Sequence, residues 1–249
     1  MPQFRTYADL PAGIQYVWHG VNDPVNLRRF LASPVPWGEL DVNVDPAGLR
    51  LIVRHDTFAE RARTPDETLL YLADALDDVV AAGKSIKLDF KVGTHWIEET
   101  LAMIDEMKLP PNRLWFNGDY GQDGRGVLDD AWIATLAQRY PGAVIQVPLN
   151  SVPAWQENDA ALSSELARLT RLGINRWSVG WHYPAPGQIV AQLRGWGYAA
   201  NLYGVMNLDE FLAAVALDPR AVTADFNFPA WGLYGRGSGH EGRWHVFDT

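Results

Sequence analysis

The stretch SIKLDFK, residues 85–91, alternates apolar and charged side chains with a period of two. That period is typical of a β-strand, because successive side chains of a strand point to opposite faces. Lys87, Asp89 and Lys91 therefore share one face, and the apolar residues between them share the other. The stretch GELDVNV, residues 38–44, repeats this pattern earlier in the chain. Both stretches predict strands with one apolar face and one strongly charged face.

Segments of helical period separate these strands from others along the chain. The predicted strands are Ile14–His19, Gly38–Val44, Ser85–Lys91, Arg113–Tyr120, Ala143–Leu149, Arg176–Tyr183, Tyr198–Val205 and Ala221–Pro229. The predicted helices are Pro24–Leu31, Thr64–Ala82, Thr94–Met107, Leu128–Tyr140, Asp159–Leu172, Pro186–Trp196 and Leu208–Ala216. Eight strand-then-helix units in a chain of 249 residues are typical of an α/β fold, the single (β/α)8 TIM-type barrel. An open doubly wound sheet is the main alternative.

Two local signals refine this layout. Thr64, Pro65 and Glu67 form a capping box with proline at the first helical position, which predicts that a helix begins there. Asp45-Pro46-Ala47-Gly48 is a turn signal, which predicts a β-hairpin between the second strand and a returning strand over 49–55. We expect one domain over residues 1–249, with an irregular tail over 231–249 packing on the barrel.

Composition narrows the possible partners and compartments. The chain has 21 Lys and Arg against 30 Asp and Glu, a net charge of −9, which argues against nucleic acid as a partner. It has no cysteine, so disulfides and thiolate chemistry are excluded. No apolar run is long enough to span a bilayer, and the first residues do not resemble a signal peptide. We therefore expect a cytoplasmic protein.

Acidic side chains are concentrated on the charged faces of two neighbouring strands. Glu39, Asp41 and Asp89 would point into the closed interior of a barrel, where several carboxylates repel one another. A hard divalent cation, Mg²⁺ or Ca²⁺, relieves this repulsion and prefers oxygen ligands. Neutralisation of Asp89 by Lys87 and Lys91 in a buried ion triad is the alternative that needs no metal.

Two histidines are expected beside these acids. His19 ends the first strand, and a one-residue bulge at Gly48 would place His55 opposite Glu39 across the hairpin. Two imidazoles, a cation and Lys91, with Lys87 or Arg54 beside them, suit cleavage of a phosphodiester. One histidine would accept a proton and the other would donate one.

The order and spacing of these residues resemble the PLC-like phosphodiesterase superfamily, in particular the glycerophosphodiester phosphodiesterases. The match is closer to the venom-type sphingomyelinase D phospholipases and closer still to the menorin family. The motifs that carry it are Trp18-His19-Gly20-Val21-Asn22, Glu39-x-Asp41-Val42, His55-Asp56, Lys87-Leu88-Asp89-Phe90-Lys91 and Trp115-x-Asn117-x-Asp119. Two positions depart from the glycerophosphodiesterase pattern: Gly20 stands where arginine is usual, and the third acid, Asp89, is not glutamate.

The resemblance implies a TIM-type barrel with one divalent-cation site. It implies Glu39, Asp41 and Asp89 as metal ligands, His19 and His55 as the acid–base pair, and Lys91 as a phosphate contact. The substrate would be a small-molecule or lipid phosphodiester. Further predicted contacts to substrate are Lys87, Asn117, Asp119 and His182. We expect structural roles for Asp225 and for Asp56, the latter in a turn or a helix cap.

Two other functions fit the same residues. A barrel without catalytic activity could bind a phosphorylated or sugar-like ligand, or a protein partner, through the same mouth. A glycoside hydrolase would instead use a pair of carboxylates about 5–9.5 Å apart without a metal. The histidines and lysines add positive charge that a glycosidase does not need, so we favour the phosphodiesterase.

Overall fold

The computed structural model describes residues 7–121 and 128–225, and the structural statements below concern these residues. Eight parallel strands close into a ring, because β1 pairs with both β2 and β10. Two further strands, β3 and β4, lie outside the ring beside β2. The strands are β1 Gln15–Trp18, β2 Trp37–Val44, β3 Leu51–Val53, β4 Leu70–Tyr71, β5 Ser85–Phe90, β6 Leu114–Asn117, β7 Val144–Pro148, β8 Arg176–Gly180, β9 Ala200–Val205 and β10 Ala221–Ala224.

Helices connect successive barrel strands on the outside of the ring. They are α1 Pro24–Ala32, α2 Leu72–Ala81, α3 Thr94–Met107, α4 Asp130–Arg139, α5 Asp159–Leu172, α6 Pro186–Gly195 and α7 Leu208–Ala216. Short 3-10 turns cover Tyr7–Asp9, Pro111–Arg113, Leu149–Ser151 and Pro153–Gln156. The (β/α)8 barrel predicted from the sequence is confirmed. The predicted tail over 231–249, and the predicted end of the last strand beyond residue 225, lie outside the described residues.

The helix predicted to begin at the Thr64 capping box begins instead at Leu72. The main-chain N–H of Thr64 does donate to the Glu67 carboxylate, at 3.3 Å. The same carboxylate, however, accepts a hydrogen bond at 2.7 Å from Arg54, which arrives from β3. After this anchor the chain extends into β4, which pairs antiparallel with β3. A contact from outside the segment therefore overrides the local helix signal.

The predicted hairpin is present, but its predicted register is wrong. The turn closes between Asp45 and Arg50, because the Asp45 main chain bonds Arg50 and its carboxylate accepts from the Leu49 N–H at 2.8 Å. Gly48 has a φ of +67°, which fits the turn, but no bulge shifts the ladder. As a result the main-chain N–H of Arg54 bonds the carbonyl of Asp41, so His55 does not lie opposite Glu39.

Two apolar regions hold the barrel together. The larger one fills the space between the outer surface of the strands and the helices, where Leu40, Val42 and Leu88 are buried. The smaller one fills the amino-terminal end of the barrel, where Trp37 meets Trp115 edge-on with ring centroids 5.7 Å apart. This apolar floor closes the barrel on one side and leaves the other end for polar side chains. Among the described residues, no helix is long and apolar enough to cross a membrane.

Candidate active site

A cavity of about 220 Å³ opens at the carboxyl ends of the barrel strands, where barrels of this type carry their active sites. Most of the residues predicted for the site line it; Asp41 and His182 do not. The cavity is lined by His19, Glu39, His55, Lys87, Asp89, Phe90, Lys91, Asn117, Asp119, Pro148, Asn150, Ser178 and Tyr203.

Strand register brings the charged side chains of β2, β5 and β6 together. Glu39 pairs with Lys87, and Asp41 pairs with Asp89, across the parallel ladder of β2 and β5. Asp89 in turn lies beside Asn117 on β6. Because alternate residues share a face, these side chains all point into the barrel, as the sequence predicts. The apolar residues between them are buried on the helix side.

His19 follows β1 and is held between two carboxylates. Its Nδ1 lies 2.7 Å from Oδ1 of Asp225, which directly follows β10, and its Nε2 lies 3.2 Å from Oε2 of Glu39. A carboxylate on Nδ1 fixes the orientation of the ring. Asp225, which we expected to be structural, therefore has a direct contact to a predicted catalytic residue.

His55 has a carboxylate partner of its own. Its Nδ1 lies 2.8 Å from Oδ1 of Asp56, whose Oδ2 lies 3.3 Å from Nε of Arg61. Asp56 thus orients an imidazole, a role beyond the turn or helix cap that we predicted. Arg54, considered as a neighbour of the phosphate, is fully buried and bonds Glu67 instead, so it does not line the cavity.

Lys91 joins two of the acids. Its Nζ lies 2.7 Å from Oδ2 of Asp89 and 3.6 Å from Oδ1 of Asp41. Burial opposes the charge on Lys91, but Asp89, Asp41 and Glu39 outweigh it and raise the pKa of Lys91 above its usual range.

The surroundings of Asp41 favour the charged form of its carboxylate. Burial opposes its charge, but the charges of Lys91, His55 and His19 and a hydrogen bond from Asn22 hold the pKa of Asp41 below its usual range. Asn22 both donates to the Asp41 carboxylate and accepts from the Asp41 main-chain N–H, at 3.1 Å. The carboxylate is therefore fixed beneath the cavity.

Lys87 lies deeper than the other cations. It is 1% exposed, its Nζ lies 2.6 Å from Oε1 of Glu39, and it donates to the Thr223 hydroxyl at 3.3 Å. Thr223 donates to Asn201, which donates to Ser178, so a chain of hydrogen bonds crosses the barrel under the cavity. The lysines thus pair with different acids, Lys87 with Glu39 and Lys91 with Asp89 and Asp41, and not as a triad around Asp89.

The three other predicted substrate contacts lie at different depths: Asn117 is inside the barrel, Asp119 is at the rim, and His182 is outside the cavity. Asn117 donates to Asp89 at 2.8 Å and accepts from Gln146 at 2.6 Å, so it holds the Asp89 carboxylate from inside the barrel. Asp119 reaches solvent at the rim, and burial of its pocket side together with the charge of Asp89 raises the pKa of Asp119. His182 is exposed, packs beside Gly204 and does not line the cavity.

The wall opposite the histidines was missed by sequence reasoning. It includes Asn150, Ser178 and Tyr203, whose hydroxyl lies 3.0 Å from that of Tyr183. Ser178 lies on β8 and Tyr203 on β9. The period-two alternation of these strands places both side chains on the inward face, so the sequence could have identified them. Asn150 lies in a 3-10 turn after β7, where strand periodicity gives no signal.

The acids predicted as metal ligands have some but not all of the features of a cation site. Within residues 7–121 and 128–225, no three or more His, Asp or Glu side chains are arranged as a metal cage. Oε2 of Glu39 and Oδ1 of Asp41 are nevertheless buried without an aligned hydrogen bond from any described residue. Buried carboxylate oxygens of this kind are suitable ligands for Mg²⁺ or Ca²⁺, and the Lys91 ammonium now lies beside one of them.

The barrel is similar to those of several solved phosphodiesterases. A proposed glycerophosphoryl diester phosphodiesterase of Agrobacterium tumefaciens superposes with a TM-score of 0.65 and 14% identity, over 85% of this chain and 93% of that chain. A phosphodiesterase of Oleispira antarctica, solved with the product sn-glycerol-3-phosphate, superposes with a TM-score of 0.59 and 19% identity, over 88% of this chain and 94% of that chain. A glycerophosphodiester phosphodiesterase of Parabacteroides distasonis superposes with a TM-score of 0.58 and 16% identity, over 86% of this chain and 93% of that chain.

No family model matches the sequence, and no curated protein matches it. At such identities the structural likeness establishes the shared fold, and the chemistry has to be argued from the site. The resemblance to the menorin family stays a prediction from the motifs of the sequence.

Proposed function

We propose that the protein is a phosphodiesterase that cleaves a small-molecule or lipid phosphodiester with one divalent cation and an acid–base pair of histidines. The observation that carries the proposal is the pairing of each imidazole with its own carboxylate at one cavity. His19 bonds Asp225 and His55 bonds Asp56, each through Nδ1. Two oriented imidazoles at a cavity lined also by lysines suit general acid and general base catalysis.

The histidines would share the proton transfers. With Nδ1 bonded to a carboxylate, Nε2 is the nitrogen that can exchange a proton with substrate or leaving group. Nε2 of His19 lies 3.2 Å from Oε2 of Glu39, which places it beside the proposed cation ligands. One imidazole would accept a proton while the other donates one.

Glu39, Asp41 and Asp89 would hold the cation, Mg²⁺ or Ca²⁺. When bound, a divalent cation neutralises phosphoryl oxygens and stabilises the charge of the transition state. The buried oxygens Oε2 of Glu39 and Oδ1 of Asp41 support this assignment. Lys91, which now bridges Asp89 and Asp41, would then turn its ammonium group towards the phosphate.

Lys87 has a different role in this proposal. It lines the floor of the cavity with 1% of its surface exposed and is paired with Glu39, so we assign it to holding that carboxylate rather than to binding phosphate. Asn117 would hold Asp89 in the same way. Asp119, Asn150 and Tyr203 remain as the polar groups on the wall where the rest of the substrate would lie.

The two imidazoles and the lysines at the cavity favour a phosphodiesterase over the other uses of this barrel. The paired lysines and acids argue against the glycoside hydrolase, since a glycosidase needs a free acid and a free carboxylate. Here Glu39 pairs with Lys87 and Asp89 pairs with Lys91. The binding module without catalysis remains an outcome that the following experiment would reveal.

The test is a panel of phosphodiesters followed by ³¹P NMR, with bis(p-nitrophenyl) phosphate, glycerophosphocholine, lysophosphatidylcholine and sphingomyelin as substrates. The protein is stripped with chelator and then supplied with Mg²⁺, Ca²⁺ or Mn²⁺. We expect turnover that needs a divalent cation. His19→Ala and His55→Ala should each lower turnover by about 10²–10⁴-fold.

His95→Ala is the matched control, because His95 is exposed on α3 and, in the described part of the chain, its ring contacts that of its neighbour Trp96 at a tilt. It should leave turnover unchanged. Full activity of both His19→Ala and His55→Ala would refute the acid–base assignment. Tight binding of a phosphodiester without turnover under any cation would favour the binding module.

A further inference from the structure

A network of charged side chains lies behind His55, in the segment between β3 and β4 (residues 54–69). Arg54 is buried under this segment and donates to Oε1 of Glu67 at 2.7 Å and to the main-chain carbonyl of Arg61 at 2.9 Å. It also bonds the main-chain carbonyl of Asp56 and lies 4.2 Å from the ring centroid of Phe58. The backbone of the segment is thereby attached to one buried side chain.

Arg61 connects this anchored segment to the imidazole. Its side chain is 19% exposed. Nε lies 3.3 Å from Oδ2 of Asp56 in an ion pair without an aligned hydrogen bond among the described residues, and Nη2 lies 3.1 Å from Oε1 of Glu67. The other oxygen of Asp56 bonds Nδ1 of His55 at 2.8 Å. Charges therefore alternate from Glu67 through Arg61 and Asp56 to His55.

The physical role of Arg61 follows from the partners of the two Asp56 oxygens: Oδ1 contacts His55 and Oδ2 contacts Arg61. A carboxylate with one partner can rotate and let that partner go, whereas a second charged partner holds it in place. Arg61 supplies the second partner and offsets the negative charge of Asp56. Oδ1 then stays on Nδ1 of His55, which keeps that nitrogen protonated and Nε2 available in the neutral ring.

We infer that Arg61 is a positioning residue, which acts through Asp56 to fix the tautomer and orientation of His55. The expected effect of Arg61 on turnover rests on the proposed function, whereas its expected effect on the tautomer and orientation of His55 does not. Groups that support a catalytic or metal-bound histidine in this way typically change activity about 10- to 100-fold when they are lost.

The test compares Arg61→Met with Arg63→Met. Arg63 is exposed in the same segment and bonds only the main-chain carbonyl of Glu67 among the contacts described, so it is a matched control. The first readout is the ¹⁵N spectrum of the His55 ring at alkaline pH, where neutral tautomers are distinguished. We expect the Nδ1–H form in the wild type and in Arg63→Met, and a gain of the Nε2–H form in Arg61→Met.

The second readout is turnover of a phosphodiester. Arg61→Met should lower kcat by about 10- to 100-fold with KM little changed, and Arg61→Lys, which keeps the charge, should recover part of both effects. If Arg61→Met does not fold, Arg61→Gln, which also removes the charge, decides, and a wild-type ring spectrum for that neutral variant would overturn the inference. A wild-type spectrum in a folded Arg61→Met would overturn it equally. Absence of turnover in the wild type would refute the proposed function, while the ring spectrum would still decide the role of Arg61.

Discussion

Replacing Lys87 with methionine tests whether a buried ion pair stabilises the interior of the barrel. The Lys87 ammonium lies 2.6 Å from Oε1 of Glu39 and 5.2 Å from the ring centroid of Trp115, with almost no exposure. Methionine keeps an unbranched apolar stem of similar volume, so little packing is lost. What the substitution removes is the charge, and it leaves the Glu39 carboxylate buried without this partner.

The expected loss of stability is large for a single substitution. Removing one partner of a buried ion pair costs about 3–5 kcal/mol, because the remaining charge stays desolvated. Thr223 loses a donor as well, but its own hydroxyl still donates to Asn201 at 3.0 Å, so its share is small. We therefore expect Lys87→Met to lower the free energy of unfolding by about 3–5 kcal/mol, against a typical total of about 5–15 kcal/mol.

Urea denaturation followed by the fluorescence of the eleven tryptophans measures this difference. Lys108→Met, at an exposed helix end, is the control and should change stability by less than about 0.5 kcal/mol. Adding Glu39→Gln to Lys87→Met should restore at least about 1 kcal/mol, because the unpaired charge is gone. A loss below about 1 kcal/mol for Lys87→Met, or no recovery in the double variant, would refute this reasoning.

Three further predictions concern stability. Burial lowers the pKa of Lys84 to about 8 from 10.5, so its charged form is disfavoured in the folded protein. The urea midpoint of the wild type should therefore rise relative to that of Lys84→Met between these pH values. Gly38→Ala would place a Cβ 2.5 Å from the ring of Phe30 and should cost about 1–3 kcal/mol, whereas Gly195→Ala, which meets nothing within 4 Å, should not destabilise. Asp23→Ala removes a side chain that accepts from two main-chain N–H groups at the start of α1, and thermal unfolding should show a loss of about 0.5–2 kcal/mol, reduced in Asp23→Ser.

The parts of the fold that follow local rules could be predicted from the sequence. Period-two alternation over residues 38–44 and 85–91 is set by strand geometry, so the inward direction of Glu39 and Asp89 followed without knowledge of any partner. The start of α2 could not be predicted in this way. It depends on Arg54, which lies 13 residues from Glu67 and bonds one oxygen of its carboxylate, while the other oxygen still accepts from the Thr64 N–H although no helix follows until Leu72.

The same distinction between local and distant causes applies to the site. His19 was identified from its place after the first strand, but its partner Asp225 lies 206 residues away, and only closure of the ring brings the two together. The hairpin was expected from its turn residues, whereas its register depends on how the Asp45 carboxylate closes the turn. His55 still reaches the cavity, because Asp56 and the segment beyond it hold the ring there.

Glu39 contributes both to the charged interior of the barrel and to the proposed cation site. Oε1 is held at 2.6 Å by Lys87 from below, and this contact restricts rotation of the carboxylate. Oε2 is thereby turned upward to His19, at 3.2 Å, and is buried without an aligned hydrogen bond within the part of the chain that the structure describes. Lys87 can therefore contribute to the site without touching a substrate, since it fixes which oxygen faces the cavity. A carboxylate in this position could not be replaced by a neutral isostere without changing both the barrel interior and the proposed cation site.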